Sequence, residues 1–179
     1  MNQWKLINHT FKFREGDTDE KGGCTFIGGS WKDVTTDELF KGKRVVLFSL
    51  PGAFTPTCSG QQLPTYDTMF SDMTKEHIDD VYCISVNDGF VMGAWFKDLG
   101  IKKVKWLADG NGVIADSLGM LVEKSNLGFG MRSWRYAAII RNGIVEAMFD
   151  EDGFEDNCET DPYKESTPEM VLKYLIANK

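Results

Sequence analysis

The chain has 179 residues, of which 42% are hydrophobic, and its formal net charge is −7. This length and hydrophobic content suit one packed domain spanning residues 1–179. The acidic excess argues against a surface that binds nucleic acid or an anionic membrane, because both carry negative charge. The sequence has neither the roughly 18 consecutive apolar residues of a membrane span nor the apolar core of a signal peptide, so a cytoplasmic protein is expected.

Apolar runs bounded by turn residues predict buried strands, with helical stretches between them. The predicted strands are 43–50, 80–88, 102–110 and the two halves of 134–150, which Asn142-Gly143 joins as a hairpin. The predicted helices are 58–77, 89–99 and 167–178, the last with Thr167 as N-cap and Pro168 at its first position. This order predicts an α/β fold with a mixed central sheet flanked by helices on both faces.

The segment 49–60, SLPGAFTPTCSG, carries Cys58 from the end of the first predicted strand into a helix. Ligands of open α/β sheets bind beyond the carboxyl ends of the strands. A cysteine at a helix N-terminus faces unpaired backbone N–H groups and the positive end of the helix dipole, which favour its thiolate. A lone cysteine is more commonly buried and inert. The strand–loop–helix placement nevertheless favours a reactive thiol.

The remaining polar residues do not indicate a metal site. None of the four cysteines (Cys24, Cys58, Cys83 and Cys158) has the spacing of a zinc knuckle or of a neighbouring dithiol, and only two histidines are available. No metal and no cofactor are therefore expected. The acidic segment 150–165 lacks a ligand that a calcium-binding EF-hand loop needs, so a solvated loop is expected there. Met92, Trp95 and Phe96, at helical spacing, predict core or subunit interface.

Pro51, Thr55 and Cys58 have the spacing of the active-site signature of the peroxiredoxins. Four further segments resemble the type II, or peroxiredoxin-five, subfamily: 31–59, 84–95, 107–112 and 128–149. Residues 161–175 are especially similar to its bacterial branch, whose members often carry a fused glutaredoxin domain. The resemblance implies a thioredoxin-like fold, a homodimer, and thiol-dependent reduction of hydrogen peroxide and alkyl hydroperoxides.

Formation of a thiolate does not by itself make a peroxidase. Lowering a thiol pKa from about 8.5 to about 6 raises the thiolate fraction at pH 7 roughly thirtyfold, but the lower basicity costs about tenfold in nucleophilicity. The rest must come from holding the peroxide in line and stabilising charge on the departing oxygen. The Thr55 hydroxyl can accept the peroxide O–H, and Pro51 can keep water from the thiolate.

The resemblance assigns the missing cation to Arg135, just before an aromatic residue, rather than to Arg132. For an arbitrary arginine, a surface salt bridge would be the commoner role. Many relatives carry histidine four positions after the reactive cysteine, where this chain has Gln62. Glutamine can form hydrogen bonds but cannot become cationic near neutral pH, so any tuning by that histidine is absent here.

Two cysteines are candidates for resolving an oxidised Cys58. Cys83 lies 25 positions further on, like the second cysteine of the plant type II relatives, but inside a predicted core strand. Cys158 lies on a mobile-looking loop, near the resolving position of two-cysteine relatives, among acidic residues that disfavour its thiolate. We therefore predict a one-cysteine mechanism, in which glutathione captures the sulfenic acid and glutaredoxin reduces the mixed disulfide. Because the chain ends at Lys179, a glutaredoxin would act in trans.

Three interpretations remain open from the sequence. The first is this one-cysteine peroxidase. The second is a two-cysteine enzyme that uses Cys83 or Cys158 and is served by thioredoxin. The third is a peroxide sensor or redox adaptor of the same fold with poor turnover. The homodimer is expected to form through loops beside the active site, with Phe54, Phe90 and Trp95 as candidate contacts.

Overall fold

The computed structural model describes residues 4–15 and 30–178. The strands are β1 (Thr10–Glu15), β2 (Ser30–Thr35), β3 (Arg44–Ser49), β4 (Asp80–Ser85), β5 (Lys105–Ala108), β6 (Leu121–Glu123), β7 (Met131–Ser133), β8 (Tyr136–Arg141) and β9 (Ile144–Asp150). The α-helices are α1 (Thr36–Phe40), α2 (Leu63–Lys75), α3 (Gly89–Asp98), α4 (Val113–Ser117) and α5 (Pro168–Ala177). A π-helical turn, Cys58–Gln62, leads directly into α2.

The centre of the fold is a five-stranded sheet in the order β5-β4-β3-β8-β9. Strands β3, β4 and β5 run parallel, whereas β8 pairs antiparallel with both β3 and β9. All of β3 is buried, which accounts for its continuous apolar sequence. The β8–β9 turn has left-handed backbone at Asn142 (φ 53°) and Gly143 (φ 76°), as a tight hairpin requires. The predicted mixed sheet is confirmed.

Side chains of the sheet alternate between two hydrophobic clusters, one on each face. Along β3, Val46 and Phe48 point into the cluster that contains Cys58 and Cys83, which α2, α3 and α5 cover. Val45 and Leu47 point into the opposite cluster, which contains Cys158 and is covered by α1 and α4. The two faces therefore separate Cys158 from the other two described cysteines.

The predicted helices form, with ends that local sequence explains. The Thr167 side chain accepts a hydrogen bond from the Met170 N–H, as expected of the N-cap of α5. The first long helix ends at Lys75, before the predicted end at residue 77. The antiparallel pairs β1–β2 and β6–β7 were not predicted. Across the described ranges, no helix combines the length and the apolar character that crossing a membrane requires.

The burial of Trp95 contradicts its expected role as a dimer contact. Met92, Trp95 and Phe96 are all buried within the chain, which decides between the two predicted roles in favour of the core. The Trp95 indole N–H donates to the Ser59 hydroxyl at 3.0 Å. Since Trp95 has no exposed surface, it is not available as a direct dimer contact, whereas Phe54 and Phe90 remain exposed.

The acidic segment 150–165 also departs from expectation, because it is tied to the core rather than wholly solvated. Glu151 is buried and accepts hydrogen bonds from the backbone N–H groups of Lys164, Glu165 and Ser166 at 2.8–3.1 Å. Burial alone would raise the pKa of Glu151, but hydrogen bonds from Ser166 and these N–H groups hold it below its usual value. Cys158 is likewise buried, so its thiol does not lie on the solvent-exposed surface of this segment.

Candidate active site

The loop after β3 places Cys58 in the first turn of the helix that continues into α2. The backbone N–H of Ser59 donates to the Thr55 carbonyl, and that of Leu63 donates to the Cys58 carbonyl five residues back. This wide π-type spacing is frequent at functional sites. The Cys58 side chain is wholly buried, at 0% exposure. The predicted strand–loop–helix placement is confirmed.

The loop residues before Cys58 are held in a fixed shape. Pro51 and Gly52 are buried. The Thr55 hydroxyl donates to the Gly52 carbonyl at 2.8 Å, so its proton is already engaged and its oxygen lone pairs remain available as acceptors. The Ala53 N–H donates to the Asn87 side-chain oxygen at 3.0 Å, which ties the loop to the end of β4.

Arg135, one residue before β8, lies against the sulfur of Cys58. Its Nη1 donates to Cys58 Sγ at 3.5 Å and to Gln62 Oε1. Its Nη2 donates to Asp161 Oδ1 at 2.5 Å, and the Tyr163 ring lies 5.5 Å from the guanidinium. Burial would lower the pKa of Arg135, but the negative charges of Cys58 and Asp161 outweigh it and raise the pKa further. The guanidinium is thus a fixed cation beside the thiol.

Arg132, the other candidate cation, serves different atoms. Its Nη1 lies within 3.4 Å of the Pro51 carbonyl oxygen and 3.3 Å of the Val86 carbonyl oxygen. Its Nε donates to the Phe129 carbonyl at 3.0 Å. Arg132 therefore joins loops beside the site, while Arg135 is the arginine in contact with Cys58.

The two candidate resolving cysteines occupy different environments. Cys83 lies in β4, paired in register with Phe48, on the same sheet face as Cys58. Burial, with a smaller contribution from Cys58, raises the pKa of the Cys83 thiol well above its ordinary value. Cys158 packs on the opposite face, where its sulfur lies 3.4 Å from the Thr160 hydroxyl. Cys24 lies outside the described residues.

The structure adds three residues to the site that no sequence argument placed there. Gln62 was singled out only as a departure from relatives, yet it contacts Arg135 directly. Asp161 and Tyr163 were not assigned to the site, although they lie in the segment that resembles the bacterial branch. The resemblance of this segment to the bacterial branch could have indicated a role in the site, but nothing in the local sequence indicates which of its side chains faces Arg135. Among the residues whose positions are described, no group of His, Cys, Asp or Glu side chains is arranged to hold a metal ion.

Comparisons with known proteins agree with this geometry. A family model described as Redoxin matches residues 24–163. The chain is 55% identical over 168 residues to a peroxiredoxin of Rhizobium etli, covering 94% of this chain and 92% of that protein. It is 46% identical to a hybrid peroxiredoxin of Haemophilus influenzae, covering 98% of this chain and 66% of that protein. A solved structure of the Plasmodium falciparum antioxidant protein, described as a 1-Cys peroxiredoxin, matches with TM-score 0.87 and 40% identity, covering 97% of this chain and 98% of that one.

Proposed function

Because the chain belongs to the peroxiredoxin family, whose members are thiol peroxidases with a thioredoxin-like fold, we propose that Cys58 is the residue that reduces the peroxide. Its thiolate attacks one peroxide oxygen. An S–O bond forms, the O–O bond breaks, and the departing oxygen takes up a proton to leave as water or an alcohol. Cys58 becomes a sulfenic acid. The buried contact between Arg135 and the Cys58 sulfur carries this proposal.

Arg135 has two tasks in this reaction. Before attack, its positive charge stabilises the thiolate. During attack, negative charge moves from the sulfur to the departing oxygen, and N–H groups that are already oriented stabilise that charge without reorganisation. Pro51 is buried in the loop before Cys58 and has no N–H to offer a competing water.

Thr55 is the proposed acceptor for the peroxide O–H, because its own proton is donated to the Gly52 carbonyl. We expect Thr55→Val to reduce kcat/KM for hydrogen peroxide roughly 10- to 100-fold, the effect of losing one hydrogen bond in a charged site. Thr55→Ser keeps the hydroxyl and should stay within about threefold of the wild type. Peroxide consumption with excess reductant measures both, and equal rates in the two variants would rule out this role.

For regeneration, we propose a one-cysteine mechanism in which glutathione captures the sulfenic acid and glutaredoxin reduces the resulting mixed disulfide. The support is the placement of Cys83 and Cys158. A disulfide needs Cα atoms within about 7 Å and suitable Cβ directions. Cys158 lies across the sheet from Cys58, and Cys83 is a buried thiol in mid-strand. The likeness to a hybrid peroxiredoxin and to a 1-Cys peroxiredoxin points the same way.

The regeneration proposal is tested by removing the other cysteines one at a time. Cys83→Ser and Cys158→Ser are each expected to keep near-normal turnover with glutathione and glutaredoxin, and Cys24→Ser completes the set. Protein treated with one equivalent of peroxide, alkylated and analysed by mass should contain no bridge from Cys58 to another cysteine of the chain. A stoichiometric bridge formed within one turnover would instead make this a two-cysteine enzyme that thioredoxin could reduce.

The assay of peroxide consumption also distinguishes a peroxidase from a peroxide sensor. A sensor or adaptor would oxidise at Cys58 at a normal rate but consume little peroxide, whichever of glutaredoxin or thioredoxin is supplied.

We also propose that the protein forms a homodimer. Phe54, in the active-site loop, and Phe90, in α3, are exposed aromatic side chains that a partner would cover. Sedimentation of the reduced protein tests this association.

A further inference from the structure

The orientation of the Arg135 guanidinium is set by two side chains besides the thiol. Its Nη1 has two N–H bonds, of which one points to Cys58 Sγ at 3.5 Å and the other to Gln62 Oε1. Its Nη2 is engaged by Asp161, which is 48% exposed. Its Nε is buried and has no hydrogen-bond partner. The contact that directs Nη1 towards the sulfur side, rather than towards the solvent side, is therefore the one with Gln62.

The Gln62 side chain is held in place by burial and by a hydrogen bond to strand β3. Its side chain is wholly buried, at 0% exposure. It lies four positions after Cys58 in the same helical stretch, so the two side chains share one side of the helix. The amide Nε2 donates to the Ser49 carbonyl, at the end of β3, at 3.2 Å. A single amide therefore links strand β3 to the guanidinium that contacts the thiol.

We infer that Gln62 is a positioning residue, which holds Arg135 Nη1 against the Cys58 sulfur. The inference rests on the proposed function, since it takes Arg135 as the group that stabilises the developing charge. The position needs a neutral side chain that donates on one side and accepts on the other. Glutamine does so, as does a neutral imidazole. A carboxylate could not donate to Ser49 and would compete with the thiolate for the arginine.

An apolar side chain of similar size would remove both functions. In Gln62→Met, the Ser49 carbonyl and one Nη1 hydrogen lose their hydrogen bond to the amide. Asp161 remains the only described side chain that bonds to a guanidinium nitrogen besides Cys58. Arg135 is then free to turn towards Asp161 and away from the sulfur. The expected result is a slower attack on peroxide, because the Arg135 N–H donor is no longer oriented in advance.

The test is the rate at which reduced protein reacts with hydrogen peroxide, followed by stopped-flow fluorescence at about pH 8, where an introduced histidine is neutral. We expect Gln62→Met to react about tenfold more slowly, the effect of one lost hydrogen bond to a charged group. Gln62→His should recover most of that loss. The matched control is Gln61→Met, the same substitution at the neighbouring exposed glutamine, which should react like the wild type.

A double-mutant cycle separates positioning from packing. If Gln62 acts through Arg135, then Gln62→Met should have less than about a twofold effect in an Arg135→Lys background. A defect of packing would slow both backgrounds alike. Wild-type rates in Gln62→Met, or equal losses in the two backgrounds, would overturn the inference. Cys58→Ser decides the underlying proposal separately: if that variant still reacts, the proposed function has failed, whatever Gln62 does.

Discussion

Cys58→Ser should lose peroxide reduction altogether, a fall of at least about 10³-fold to the uncatalysed rate. Serine has nearly the same size as cysteine, but its hydroxyl stays protonated near neutral pH, so no comparable anion can attack the O–O bond. The arginine and the loop would remain in place around a group that cannot react. Peroxide consumption with glutathione and glutaredoxin measures the loss.

The control for this variant is Cys83→Ser, which changes another buried cysteine on the same face of the sheet. It should keep its activity. Circular dichroism and a Tm within a few degrees of the wild type would establish that Cys58→Ser is folded. Substantial turnover by a folded Cys58→Ser protein would remove Cys58 from the mechanism.

Arg135→Lys is expected to reduce kcat/KM for hydrogen peroxide roughly 100-fold, the typical effect of losing one oriented donor at a developing negative charge. Lysine keeps the charge but not the planar fork of donors. In the wild type, Nη1 serves both the sulfur and Gln62 while Nη2 serves Asp161, so the geometry depends on two separate nitrogens. A single ammonium cannot reproduce it.

Two further substitutions give this prediction a sharp control. Arg141→Lys changes an exposed arginine at the far end of the same strand, β8, and should leave the rate unchanged. Arg132→Lys tests the other arginine near the loop, whose contacts are backbone carbonyls rather than the sulfur. If Arg132→Lys lost much more activity than Arg135→Lys, the assignment of the two arginines would have to be reversed.

The parts of the fold that the sequence predicted are those with strong local signals. A continuous apolar run identified β3, Asn142-Gly143 identified the β8–β9 hairpin, and Thr167 with Pro168 identified the start of α5. Each signal operates over a few residues, so it needs no knowledge of the rest of the chain. The position of Cys58 followed in the same way, because a strand, a short loop and a helix are consecutive in the sequence.

The features that were missed depend on contacts between distant segments. Glu151 is one of many acidic residues in its segment, and only the folded chain brings three backbone N–H groups around its carboxylate. The burial of Cys158 results from the same docking of an acidic segment onto the core. The contact between Gln62 and Arg135 joins residues 73 positions apart, so neither residue alone indicates it. Composition predicted solvent exposure where tertiary hydrogen bonds decide the outcome.

The complete burial of Cys58 has a kinetic consequence. Because the Cys58 sulfur has no exposed surface, any reactant reaches it only when the surrounding structure opens. The proposed tripeptide thiol is much larger than hydrogen peroxide, so on the proposed mechanism we expect regeneration to need the wider, transient opening of the first helical turn. About 1.4 kcal/mol of added stability in that turn would make the open form about tenfold rarer and would slow regeneration more than the entry of peroxide. A sulfenic acid that waits longer meets a second peroxide more often and passes irreversibly to the sulfinic acid. On the proposed mechanism, we therefore expect the stability of the turn around Cys58 to influence the peroxide concentration at which Cys58 is irreversibly oxidised.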